Sequence, residues 1–294
     1  MNAPSTLAAP TAKLAEASSV KTFEELATKK DDEIDVAVGA ALIARDVYPA
    51  LDVPALMAKF DEMAAPLSAL GLASMTALEQ VKHLGEYVYE VLGFKGNETD
   101  YYDPKNSLLS DVVQRKLGIP ITLALVYVEL ARRAGVDARG VGFPGHFLVR
   151  VANGKGEPLF VDPFFAGRVL DRDALLKLLR RATGPNQELK DEHLAPASAR
   201  TILVRMLINL KWIHTTRGDL ARAHLALDRI VSLTPDAPAA LRERGMLAAR
   251  LGAVEAARAD LTRLLELQPE VSDAGVVRAK LEELRAKSSQ KTLN

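Results

Sequence analysis

Gly118-Ile-Pro120-Ile-Thr122-Leu-Ala-Leu-Val-Tyr-Val-Glu-Leu-Ala-Arg-Arg133, followed by Gly142-Phe-Pro-Gly-His146 and Phe160-Val-Asp162-Pro163, decides the fold of this 294-residue chain. The first segment is apolar nearly all round at helical spacing, the pattern of a helix buried at a domain centre. Pro120 suits its first turn, Arg132-Arg133 its last, and Gly135 its C-cap. Residues 138–143 read as a strand, with Gly140 and Gly142 permitting close approach. Asn153-Gly154-Lys155-Gly156 is a hairpin turn signal. With residue 154 at its centre, His146 falls opposite Asp162 on one face of the hairpin, close enough to interact.

Upstream, apolar periodicity predicts helices at residues 33–46, 53–70 (Leu56, Phe60, Met63 and Leu67 on one face) and 76–92, after a short one at 22–26. His83 sits near Glu79 and Glu86, which is too little for a metal site. Asn97-Glu-Thr99 spells a glycosylation sequon and carries no weight without a secretion signal. Residues 107–116 read as a short helix with Leu108, Val112 and Val113 inward. Asp103-Pro104 and Asn106-Ser107 are turn and N-cap chemistry.

Downstream, residues 171–181 form an amphipathic helix, and the polar, proline-containing stretch 183–196 reads as a linker. The period then changes. Gly218 recurs as Gly252, Ala223 as Ala257, Leu227 as Leu261 and Pro235 as Pro269, each 34 residues on, the length of a tetratricopeptide unit. Units at about 201–235 and 236–269 are followed by a helix at 276–284. Two repeats bury little alone, so docking on the first domain with the last helix as a cap is expected. Arg217-Gly218-Asp219 falls at an inter-helix turn, which accounts for it without an adhesive role.

Composition excludes several function classes. Zero net charge and a pI near 7 give no general attraction to nucleic acid or anionic membranes. The absence of cysteine rules out disulfides, thiolate metal sites and thiol redox chemistry. No run reaches the ~18 apolar residues of a membrane span, and residues 1–10 lack the basic start and apolar core of a signal peptide. The expectation is a cytoplasmic protein with no cofactor. A metal site on His146, Asp162 and Asp103 lacks ligand spacing.

The helix, the His and the Asp resemble a transglutaminase-like core, in the form found in bacterial proteins described as invasion regulators, where tetratricopeptide repeats follow. The resemblance spans about residues 34–269. It implies an α+β fold: a mostly helical, papain-like core with a small antiparallel sheet, then an all-α repeat region. The domains expected are a disordered tail (1–20), a transglutaminase-like domain with N-terminal helices (21–196) and repeats with a capping helix (197–294). In active relatives a Cys opens the central helix, a His stands on the next strand, and an Asp on the strand after orients it. His146 and Asp162 match that pair; the Cys place falls at about Pro120. The segment holding Asn106, Ser107 and Asp111 packs against the site in the family, so these residues, with Pro120 and Thr122, are pocket candidates.

Proline has no nucleophile and no backbone N–H for an oxyanion, while its fixed φ suits a helix start. Two readings follow. One is a non-catalytic regulatory or accessory module that binds a protein or peptide through its repeats and its degenerate cleft. The other is a cysteine-free hydrolase or acyl-transfer enzyme with His146 and Asp162 as acid–base dyad and water, Thr122 or Ser107 as nucleophile. A His–Asp hydrogen bond that simply satisfies two buried polar groups fits the pair equally well.

Overall fold

The computed structural model describes residues 20–152 and 156–292. Residues 1–19 of the expected tail, and Asn153, Gly154 and Lys155 of the expected turn, lie outside them. Contacts divide the chain into two compact units. One holds the residues up to Tyr101 together with Lys105–Leu203; the other holds Tyr102–Pro104 and the residues from Val204 on.

In the first unit, helix α1 (Phe23–Ala27) opens on a capping box in which Thr22 and Glu25 satisfy each other's backbone N–H. Helix α2 (Val36–Arg45) starts where Asp35 caps the amides of Ala37 and Val38. Its small residues bury it entirely from Ala37 to Ala44. Helix α3 (Val53–Ser68) turns Leu56, Phe60, Ala64 and Leu67 inward. Ala64 rather than the expected Met63 completes that stripe, because i+4 from Phe60 lies nearer the stripe's axis than i+3 does. Helix α4 (Ala77–Gly85) runs on as a π-helical stretch, Glu86–Val91, where a plain α-helix was expected to residue 92.

Two short parallel strands follow, β1 (Lys95–Gly96) and β2 (Leu117–Gly118). Between them, the expected helix 107–116 is a 3-10 turn (Pro104–Ser107) and helix α5 (Leu109–Arg115), parted by the extended Leu108. Helix α6 (Pro120–Arg133) is the centre: it packs against α3, α4 and the sheet. An antiparallel sheet in the order β3 (Asp137–Val141), β4 (Leu148–Ala152), β5 (Leu159–Asp162), β6 (Arg168–Leu170) lies beside it. Helix α7 (Arg172–Thr183) sets Leu175 and Leu179 against Val141, Phe143 and Leu148.

The stretch read as a linker is fastened to this unit. Leu189 and Leu194 pack on its core, Pro196 bridges to Val141, and Ala197 N–H donates to Gly140 O at 2.8 Å. Helix α8 (Ala199–Thr216) begins in the first unit, its N-terminal amides donating to Asp31.

The second unit takes α8 from Val204 on, then α9 (Leu220–Leu233), α10 (Pro238–Arg250), α11 (Val254–Leu267) and α12 (Ala274–Thr292). The 34-residue recurrence marks equivalent positions. Gly218 and Gly252 take φ +75° and +78° at the inter-helix turns, and Ala223 and Ala257 are fully buried. Asp219 caps α9 through Arg222 N–H, so the Arg217-Gly218-Asp219 tripeptide is turn and cap. The mostly helical α+β class with an all-helical repeat region is the fold observed.

Candidate functional site

The local sequence explains how His146 is delivered. In Phe143-Pro144-Gly145-His146, Gly145 has φ +67° and His146 N–H donates to Phe143 O at 3.0 Å. Proline then glycine at the two central positions is the chemistry of a type II turn. His146 therefore stands in the bend before β4 and not on a strand. The β4–β5 ladder pairs Val149 with Val161 and Arg150 with Phe160, a register that runs on to put Leu148, and not His146, level with Asp162. Strand register therefore does not set His146 opposite Asp162, as the expected hairpin pairing would have it. The bend does, by bringing the ring back over the end of β5.

There His146 Nε2 meets Asp162 Oδ1 at 2.9 Å, with the imidazole 10% exposed and the carboxylate 1%. The same oxygen accepts from Phe164 N–H (3.1 Å) and Phe165 N–H (3.4 Å), an Asx turn that Gly167 N–H closes onto Asp162 O. Arg168 Nη2 lies 3.9 Å from Oδ2. Three donors converge on one oxygen and fix its direction, so the imidazole's Nδ1 is the nitrogen turned away from the carboxylate. Phe165, nearly half exposed, stacks beside the imidazole at 6.5 Å between ring centroids, and the Arg168 guanidinium covers its ring.

Pro120 occupies the first position of α6 and is buried. Thr122 is wholly buried. Its Oγ1 accepts from Ile119 N–H (3.1 Å) and lies 2.7 Å from Asn106 O, to which it donates. Asn106 donates to Asp100 O and Tyr101 O and accepts from Asn97 Nδ2 at 3.1 Å. Asn97 thus belongs to a buried knot with Asn106 and Thr122 that ties β1, the 3-10 turn and the start of α6 together. Asp111 Oδ1 accepts from Tyr48 at 3.3 Å. Ser107 is buried, and its hydroxyl has no hydrogen-bond partner among the described residues. The five pocket candidates are thus the helix start, the polar knot behind it, and a separate contact to Tyr48.

Tyr89 escaped the sequence reading. It lies on the π-helical stretch, stacked on Tyr127 at 6.4 Å. Burial, then Tyr127, then the Asp162 charge push its phenol well above the ordinary tyrosine range, so it stays protonated. A methyl group at Gly167 would stand 2.5 Å from its ring, so the loop after Asp162 rests directly on Tyr89. A π-turn beside functional groups is a known association, but no residue in Glu86–Val91 announces one in sequence. Chemically the arrangement provides a histidine oriented by a carboxylate, able to move a proton. It provides no thiol. Among the described residues no group of three or more His, Asp or Glu could hold a metal ion, and no helix is long and apolar enough to cross a membrane.

Comparison with known proteins adds the lineage. The chain is 40% identical over 268 residues to a UPF0162 protein of Xylella fastidiosa, covering 89% of this chain and 94% of the relative. A UPF0162 protein of Pseudomonas aeruginosa is 32% identical over 251 residues, 85% and 91% of the two chains. Human F-box only protein 21 is 40% identical over 99 residues, which is 31% of this chain and 16% of that one. No solved structure gives a significant match. A tetratricopeptide repeat model matches residues 210–282, a repeat type that generally mediates protein–protein interaction. With a transglutaminase-like superfamily model matching residues 54–208, more than half of its length, and full-length UPF0162 relatives, the chain belongs to the transglutaminase-like superfamily.

Proposed function

We propose that this protein is a non-catalytic transglutaminase-like protein, a regulatory or accessory module of the cytoplasm that binds a protein or peptide through its repeats, with the degenerate cleft as a second surface. The observation that carries the reading is Pro120 at the first position of α6 in a chain without cysteine. The thiolate is the nucleophile of such sites, and proline supplies neither that nor an oxyanion amide. The nearest helix hydroxyl, Thr122, has its proton committed to Asn106 O. Within the repeats, Ile208 and Trp212 stand on α8 at helical spacing, each more than 40% exposed. The Tyr102 ring lies 4.6 Å from Trp212, which makes a wide aromatic contact surface.

The second reading, a cysteine-free hydrolase or acyl-transfer enzyme, is favoured by one observation, the 2.9 Å His146–Asp162 contact. Water then serves better as nucleophile than Thr122 or Ser107. One experiment separates the two. Purified protein and its His146→Ala variant are assayed for transfer of a glutaminyl peptide to a primary amine and for hydrolysis of an activated ester. The non-catalytic reading expects identical background rates. Turnover that vanishes with His146 overturns it and installs the enzyme.

A further inference from the structure

One cavity of the first unit lies away from His146. It measures about 350 Å³ and is walled by Ile34, Ile121, Ala124, Val128, Phe147 and Ile202 among others. Pro120, His146 and Asp162 do not line it, although Ile121 and Phe147, their chain neighbours, do. The sequence gives the cavity a physical origin. Helix α6 is apolar on every side, and each residue from Pro120 to Ala131 is buried except Val128, which opens onto this space. A methyl group at Gly140 would stand 2.8 Å from Phe147 Cε1, so glycine lets that ring settle into the wall.

The mouth is charged. It carries Lys29, Asp32, Glu33, Asp35, Glu129 and Arg132. Arg132 is held by Glu129 at 2.8 Å and faces Asp35 at 4.0 Å, and Asp35 also caps α2. Those groups are committed to one another. Asp32 and Glu33 are exposed carboxylates at the rim against the single Lys29, and one Glu33 oxygen, Oε2, also accepts from Lys30 N–H at 3.0 Å. An apolar chamber of this size with a few polar groups at its opening has the build of a small-molecule site.

We propose that this cavity binds an aliphatic chain bearing a cationic head, an alkylammonium compound, with the chain against α6 and the head at Asp32 and Glu33. At about 30 Å³ for a water-sized group, the chamber holds on the order of ten methylenes. The site is independent of any activity at His146.

The test uses the full chain and two probes of equal length, decyltrimethylammonium and decanoate, each well below micelle formation, followed by calorimetry. The expected result is saturable 1:1 binding of the cation, weaker binding of the carboxylate, and at least a tenfold loss for the cation in Val128→Trp, which sets an indole in the path of the chain. Asp32→Asn with Glu33→Gln, both exposed and the glutamine keeping an oxygen for the Lys30 N–H, should lower cation affinity about three- to tenfold and leave decanoate unharmed. No saturable binding of the cation, a preference for decanoate, or no response to the rim variant would each overturn the proposal.

Discussion

Replacing Thr122 by valine removes one oxygen and changes almost nothing in shape, which makes it a sharp probe of what that residue does. In the folded protein Oγ1 takes the Ile119 N–H and gives its proton to Asn106 O, all three residues being buried. Valine leaves both backbone groups unpaired. Each such group costs about 1–3 kcal/mol, so Thr122→Val should destabilise the first unit by about 2–6 kcal/mol, a large part of the ~5–15 kcal/mol typical of a domain. Thr122→Ser keeps the oxygen and loses a buried methyl, about 1 kcal/mol. Urea unfolding followed by far-ultraviolet circular dichroism gives the energies, and amide exchange at Ile119 locates them: protection should fall in the valine variant and persist in the serine one. A valine variant within ~0.5 kcal/mol of the native protein, or a serine variant as unstable as the valine one, would refute the assignment of Thr122 to the polar knot.

Other expected outcomes probe neighbouring claims. Gly118→Ala places a methyl 2.8 Å from Thr122 Oγ1 and 3.1 Å from Leu123 Cγ, and should cost about 1–3 kcal/mol in the same unfolding assay. In the repeats, Arg244 holds the buried Asp260 through two bonds of 2.8 and 2.6 Å and reaches Asp228 at 2.7 Å. Arg244→Ala strands Asp260 and should cost about 3–5 kcal/mol, much of it recovered by adding Asp260→Asn. Burial lowers the His214 pKa against the pull of Asp219, with Arg222 and Arg217 lowering it further. A group whose folded value lies below its unfolded one stabilises above the unfolded value and loses that contribution as pH falls through the folded one. Trp212 fluorescence should therefore report a lower urea midpoint for the second unit as pH drops below the ordinary histidine range, and His214→Gln should flatten that slope.

How much of this was legible in the sequence depends on which interaction wrote each feature. The central helix was readable because burial on all sides leaves no polar face from Ile121 to Val128, and the repeats because close helix packing needs Gly or Ala every 34 residues. Strand alternation alone points to a His146–Asp162 contact, but the geometry that makes it is local: Pro144-Gly145, a turn signal in its own right, bends the chain at His146. Thr122 and Asn106 were legible as polar residues near a helix start, but their bond joins positions 16 apart, and no local pattern encodes it. Tyr89 was invisible for the same reason. Its neighbours are Tyr127 and the loop after Asp162, and only tertiary packing brings them together. Residues 183–196 look like a linker because the contacts that fasten them, Leu189, Leu194 and Pro196, are isolated apolar residues in a polar run.

Helix α8 bears on how such a protein can be taken apart. Arg200 donates to Ala27 O and Lys29 O, and Leu203 fills the space above Gly39, while thirteen residues later the same helix ends inside the repeats at Thr216. A cut at the sequence's apparent seam near Pro196 strips the first unit of those contacts, and a cut after Leu203 gives the second unit a frayed first helix. Neither unit has a clean edge, so shuffling it onto another scaffold, in the laboratory or by recombination of genes, would have to carry part of its neighbour along.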